Sequence, residues 1–276
     1  MTKITFAIKY HHGDATDGRL DMYDAAVSFQ GFAKAISITT HALLNEGEIR
    51  KKGNKIDGAE LFINPSRKGS FEQIVTLAIT NKEAIGASVA AAAFYDLIKW
   101  TWSKTLDLVH EPETPHVKKL QERIEPFIGE MEEVLEIPLE QAHRPIKKDE
   151  NVVISLKRSR VGEVVRLDSE TLKSVSLTTD SETTENIRCN VTRYNILSGY
   201  GRFYVDSLDR TVSFKIDDDV SSAQKQLLTW SLHYAQENEG GGKLLVNARR
   251  VLTAKGAEKR YLVSNIQQAN LTSKSR

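Results

Sequence analysis

The sequence holds a single cysteine, Cys189, so no disulfide can form within the chain. It lacks charge of one sign: 38 Lys and Arg stand against 37 Asp and Glu, and a formal net charge of +1 removes any molecule-wide field for a polyanionic partner. Six prolines and 16 glycines among 276 residues exclude a collagen-like chain, and 40% hydrophobic residues exclude wholesale disorder. Motifs of covalent and cofactor chemistry are missing too. There is no GxSxG, CxxC, GxxxxGK[ST] or GxGxxG, so serine hydrolase, thiol redox, P-loop and Rossmann chemistry find no support. The opening MTKITFAIKY has neither the apolar core nor the small-residue cleavage site of a secretory signal, so a cytoplasmic protein is the expectation. No catalytic residue, metal ligand or cofactor is assigned.

What is present divides in two, in keeping with the length, which at roughly 150 residues per domain suggests about two domains. Residues 1–145 read as an α+β domain. Residues 3–10 alternate Ile4, Phe6 and Ile8 against Lys3, Thr5 and Lys9, the period of a half-buried strand. A helix follows over 21–45, with an apolar face of Met22, Ala26, Phe29, Ala33, Ile36, Thr40 and Leu43, closed by Gly47. Residues 59–64 and 70–79 form a hairpin across Pro65, Ser66, Arg67, Lys68 and Gly69. The apolar stretch 84–102 has nearly the length to span a bilayer, yet Asp96, Lys99 and its many alanines favour a buried helix, so stable membrane insertion is not expected. Gly86, Ala87, Ser88 and Ala90 to Ala93 would let another backbone come close, in the domain core or in a homo-oligomer, with Trp100 and Trp102 where that close packing ends. Val117 to Leu135 make an amphipathic helix with a kink or break at Pro126, and Pro138 and Pro145 bracket a connector.

Residues 146–186 read as that connector with strands at 152–156, 163–167 and 174–179, and 187–276 as a five-stranded β-barrel. The strands are 188–197, 201–207, 210–216, 243–253 and 259–266, with one helix over 221–237 between the third and fourth. That order is the one of a small barrel of the oligonucleotide/oligosaccharide-binding type, with an SH3-like barrel as the alternative. The acidic triplet Asp217 to Asp219 suits the positive start of the helix better than a metal, since its spacing fits no calcium loop. HHGDATDGRLD at 11–21 likewise matches no metal spacing and reads as a polar turn before the first helix. His41 and His143 read as packing or surface histidines, and Cys189 as a small buried hydrophobe.

Charge separates the halves: residues 190–276 carry 13 Lys and Arg against 8 Asp and Glu. Basic residues fall on the barrel strands among Tyr194, Tyr200, Phe203, Tyr204 and Tyr261, the mixture that neutralises phosphates and stacks on bases. The candidate contacts are Arg193, Arg202, Tyr204, Arg249, Arg250 and Arg260.

FAKAISITTHALLNEGEI, GAELFINPSRKGSFE, RYNILSGYGRFYVDSLDRTVSFKI and VNARRVLTAKGAEKRYLVSNI resemble an uncharacterised bacterial family that joins an N-terminal α+β domain of unknown function to a C-terminal five-stranded β-barrel. The resemblance implies the architecture and a bacterial setting, in which such proteins are often associated with antiphage-defence gene clusters; it implies no reaction and no site residue. The function expected is a non-enzymatic two-domain binding protein that takes nucleic acid or a nucleotide on its barrel. The alternatives are a structural or regulatory subunit with a protein partner, and a membrane-active effector that releases residues 84–102.

Overall fold

The computed structural model describes residues 1–50, 56–65, 71–81, 85–123, 127–237 and 241–269. They fall into two compact units, Met1–Ser176 and Leu177–Arg276. The first is built on an antiparallel sheet in the order β2-β3-β1-β4-β5, formed by β1 (Thr2–His11), β2 (Ala59–Ile63), β3 (Glu72–Ile79), β4 (Val153–Arg158) and β5 (Gly162–Leu167). Alternation in β1 does what the sequence implied. Ile4, Phe6, Ile8 and Tyr10 enter the core, while Lys3 and Thr5 stay outside it. Against the apolar face pack α1 (Met22–Leu44) and α2 (Ala87–Thr105), with Phe94 of α2 stacking obliquely on Phe6 at 5.7 Å. Next come α3 (Pro115–Arg123), α4 (Phe127–Ala142), the short α5 (Arg144–Lys148) and α6 (Ser169–Val175). The polar turn before α1 is a single 3-10 turn, Gly13–Asp17, and Asp21 caps α1 by accepting from the N–H groups of Tyr23 and Asp24.

Several expectations are corrected here. The apolar face assigned to α1 holds in part: Ile36, Thr40 and Leu43 are buried and Phe29 packs against the core, but Met22, Ala26 and Ala33 are exposed, and in the first half of the helix the buried side runs through Asp24, Ala25, Ser28, Gly31 and Phe32. The reason is the approach of α4. A Cβ on Gly31 would lie 2.4 Å from the carbonyl oxygen of Pro138, so the contact requires small and polar side chains rather than large ones. Glu46, not Gly47, takes the first left-handed position after α1, and the Gly47 N–H reaches back to the Ala42 carbonyl at 2.8 Å. In α2, Ala90 and Ala93 are used by the unit's own core, and Trp100 and Trp102 lie inside it, Trp102 donating to Thr39 Oγ1 at 3.1 Å. Residues 138–145 are no connector, because α4 continues through Pro138. Losing one helical hydrogen bond there costs about 3 kcal/mol, which burial of Met131, Leu135 and Leu139 at roughly 2 kcal/mol each offsets. Nor are 146–176 a linker: β4 pairs with β1 and β5 with β4, completing the first sheet. Ser174, expected in a strand, lies in α6. The hairpin turn over 66–69, the break at Pro126 and Gly240 lie outside the described residues.

The second unit comprises β6 (Leu177–Thr179), β7 (Thr184–Tyr194), β8 (Tyr200–Val205), β9 (Arg210–Ile216), α7 (Ser222–Glu237), β10 (Leu244–Thr253) and β11 (Glu258–Gln268). The last five strands close in the order β7-β8-β9-β11-β10-β7, every pair antiparallel except β9–β11, while β6 extends β10. This is a closed five-stranded barrel with its helix between the third and fourth strands, so the chain is α+β as expected. Inside lie Cys189, Val191, Phe203, Val205, Phe214, Leu244, Val246 and Val263. Phe203 and Phe214 stack at 3.8 Å, an approach that Gly201 permits: a Cβ there would sit 2.3 Å from the Phe214 ring. The Cys189 thiol is pushed up to about 12, first by burial and then by Asp206, and so stays protonated and unreactive. Among the described side chains of α7 only Leu228 and Ser231 are buried. Its start is held by a reciprocal pair in which the Ser221 N–H donates to Gln224 Oε1 at 3.0 Å and the Gln224 N–H to Ser221 Oγ at 3.3 Å, so the acidic triplet is not its cap. Among the described residues no helix is long and apolar enough to cross a membrane.

Candidate functional site

Barrel registers decide which of the six candidate side chains meet. On β7 and β8, Arg193 stands directly opposite Arg202, and Asn190 opposite Tyr204. On β8 and β9, Arg202 stands opposite Ser213, which in turn pairs with Arg260 of β11. Arg193, Arg202, Ser213 and Arg260 therefore form one row across four neighbouring strands. Inward Phe203 and Phe214 alternate with Arg202 and Ser213 and fix their outward direction, and the register irregularity between Val191 and Arg193 brings the exposed Arg193 onto the same face. Burial first, and then the Arg202 charge, presses the Arg193 guanidinium below its ordinary value. Arg193 is exposed and Arg202 half-buried, but Arg260 is only 5% exposed and offers no accessible surface.

The other three candidates do not join them. Arg250 Nε lies 2.7 Å from Asp180 Oδ2 and its Nη1 3.5 Å from Glu258 Oε1, an arrangement that raises its already high value. Arg249 Nη2 faces Asp217 Oδ2 at 3.7 Å. The Tyr204 hydroxyl donates to Asp209, and Lys243 stands over its ring at 5.9 Å. Sequence reasoning could not see these partners, because Asp180 is seventy residues from Arg250 and meets it only where β6 joins β10.

The aromatic half of the expectation is corrected as well. Phe203, Tyr200 and Tyr261 are buried and offer no face to a base; Tyr194 stacks on Phe214. Period-two alternation on a closed barrel sends large rings inward to fill it, which composition alone does not reveal. SGYGR at 198–202, which reads from the sequence as a hairpin turn rather than a phosphate cradle, opens with the end of such a turn, the loop at residues 195–199 that joins β7 to β8 beside the Arg193–Arg202 pair; its first half was not singled out. Ile196 and Leu197, expected to extend the strand, are its exposed tip.

Elsewhere on the barrel, a cavity of about 490 Å³ is lined by Arg188, Asp206, Arg250, Glu258 and Tyr261. Its charges compensate one another: Arg188 Nε meets Asp206 Oδ2 at 3.3 Å and Tyr261 donates to Glu258 at 2.8 Å. Among the described residues no three His, Cys, Asp or Glu side chains converge as metal ligands. His143 is enclosed, with Nδ1–H donating to the Leu139 carbonyl at 2.6 Å and Nε2 accepting from Thr171 at 2.9 Å. Asp96 is engaged with the segment that leads into α3, accepting from the N–H groups of Glu113 and Thr114 and from the Thr114 hydroxyl.

Residues 6–176 match the family model of a domain of unknown function (DUF7946), and residues 183–267 match that of a family of unknown function (DUF7947). No curated protein and no solved structure matches the chain.

Proposed function

The chain belongs to the DUF7946 family, and from that premise, which names no reaction, we propose that it is a non-enzymatic two-domain binding protein whose barrel grips nucleic-acid or nucleotide phosphates. The observation that carries this is the register pair of Arg193 and Arg202. Like charges directly opposite on neighbouring strands cost stability, by roughly 0.2–1 kcal/mol, and an anion placed between them reverses the sign of that contribution. Ser213, opposite Arg202 and half-buried on the same face, can supply a neutral donor for the same oxygens, while the Thr192 hydroxyl is engaged in donating to the Arg202 carbonyl at 3.2 Å. The barrel topology supports the reading further, because closed barrels of this strand order present ligands to the second and third strands and to the loop between the first two.

The test is a fluorescence-anisotropy titration of labelled single-stranded and duplex oligonucleotides over a range of salt. Affinity is expected to fall with salt, with log K losing about 0.7 to 0.9 per phosphate contact for each decade. Arg202→Gln lowers that slope by about one contact, while Arg249→Gln, whose side chain already faces Asp217, leaves it unchanged. Absence of binding at micromolar protein, or binding indifferent to salt, removes the proposal. A stoichiometric protein partner whose capture is unaffected by Arg202→Gln would replace it with the role of a structural or regulatory subunit.

A further inference from the structure

The loop at residues 195–199 carries two neighbouring aliphatic side chains at its tip, Ile196 at 72% exposure and Leu197 at 97%. A single exposed leucine is ordinary, but an adjacent pair on a stiffened turn is a different matter. The loop is braced at every residue but the tip. Asn195 Oδ1 accepts from the N–H groups of Leu197 at 2.9 Å and Ser198 at 3.4 Å, and the Asn195 N–H donates to the Tyr200 carbonyl at 2.8 Å. The Gly199 N–H returns to the Asn195 carbonyl at 3.0 Å, and Gly199, at φ 73, passes its own carbonyl to the N–H of Ile216 on β9. Ordering cost is therefore already met in the free protein, and insertion of the tip into an apolar gap loses little further entropy.

We infer that this loop is a wedge that enters a weakly stacked step of a nucleic-acid duplex, with Arg193 and Arg202 holding neighbouring phosphates; the inference rests on the phosphate-binding reading above. Three observations choose the occupant. The cationic pair adjoins the apolar tip, so the complementary surface alternates anionic and apolar groups at close range, as phosphates and base faces do. Tyr200, Phe203 and Tyr261 are buried, Tyr194 is stacked on Phe214, and the half-buried ring of Tyr204 is covered by Lys243 with its hydroxyl tied to Asp209, so the described barrel strands offer no open row of rings for a single strand to stack on. The outward neighbours Thr192, Thr211 and Ser213 are hydrogen-bonding groups, and two aliphatic side chains on one loop are too little apolar area to hold a lipid surface. Insertion of a wedge unstacks a step, and that cost is smallest where pairing is already defective.

The experiment compares the full chain with Leu197→Ser and Ile196→Ser/Leu197→Ser on a paired duplex, the same duplex with a central mismatch, the single strand, and vesicles of anionic phospholipid. A 2-aminopurine beside the mismatch reports unstacking. Expected is about tenfold tighter binding to the mismatched duplex than to the paired one, with a rise in 2-aminopurine fluorescence. Both are lost in the serine variants, whose salt slope stays that of the parent. Because both side chains face solvent, an unchanged melting curve for the variants is expected and checked. Salt-dependent binding with no mismatch preference, or a preference that survives the serine variants, overturns the wedge and leaves the phosphate reading standing. Tightest binding to the single strand, or tip-dependent binding to vesicles alone, also overturns the wedge. No salt-dependent binding to any oligonucleotide overturns both.

Discussion

His143 shows what single side chains contribute here. Burial, set against the Leu139 carbonyl and the Asp168 and Glu140 charges that favour protonation, lowers its value to about 4 from an ordinary 6.5. In the unfolded chain the same imidazole takes a proton near 6.5, so between those values the unfolded state binds more protons than the folded one. Stability is full above about pH 6.5, falls on the order of 3 kcal/mol as pH drops toward 4, and levels off below that. Urea unfolding at successive pH values should show this fall in the parent and a flatter profile in His143→Gln. If the two profiles run parallel, His143 is not the group responsible. The residue's type was plain in the sequence and its enclosure was one of two open readings. The partner was not legible, because Thr171 is brought to it only when α6 folds back beside α4 and α5. The same holds for the arginines. Residue identity marks Arg202 and Arg250 as equals, whereas the pairing of β6 with β10 neutralises one and leaves the other beside a like charge.

Among elements, the crossing of α1 and α4 brings two helix backbones into close approach at Gly31. Gly31→Ala places a methyl 2.4 Å from one backbone oxygen of α4 and 2.5 Å from the Ala142 nitrogen, and backbone cannot rotate away as a side chain can. We expect it to destabilise the protein by about 1–3 kcal/mol even though alanine favours helix by about 1 kcal/mol over glycine. A thermal melt would check this; a raised melting temperature would mean the helices part without cost. That crossing also explains why the phase of α1 was legible in its second half, where Ile36 and Leu43 are buried, and not in its first, where the buried side holds Asp24, Ser28 and Gly31 and counting apolar residues gives Met22, Ala26 and Ala33 instead. Where large apolar side chains do mark the inside, as at Ile4, Phe6 and Ile8 of β1 or Phe203 and Val205 of β8, the elements were legible to within a few residues.

For the whole molecule, two separate cores predict two folding units. One core draws on residues between Ile4 and Val175, the other on residues between Ile187 and Ile266. Chains ending at Ser176 and beginning at Leu177 should each give dispersed amide spectra and one cooperative unfolding transition; a collapsed, undispersed spectrum from either would contradict this. The barrel was legible because its strands follow one another with local turns. The role of residues 146–176 was not, because β4 finds its partner in β1, at the far end of the unit's sequence. Closure of the barrel by the parallel pair β9–β11 has a consequence for biosynthesis. On the ribosome, β7, β8 and β9 emerge as a meander with bare margins, and the seam cannot be sewn until the final strand has cleared the exit tunnel. A nascent chain stalled before Glu258 therefore presents an open β-ribbon to its surroundings, so chaperone engagement should be longest in that interval and end abruptly when β11 docks.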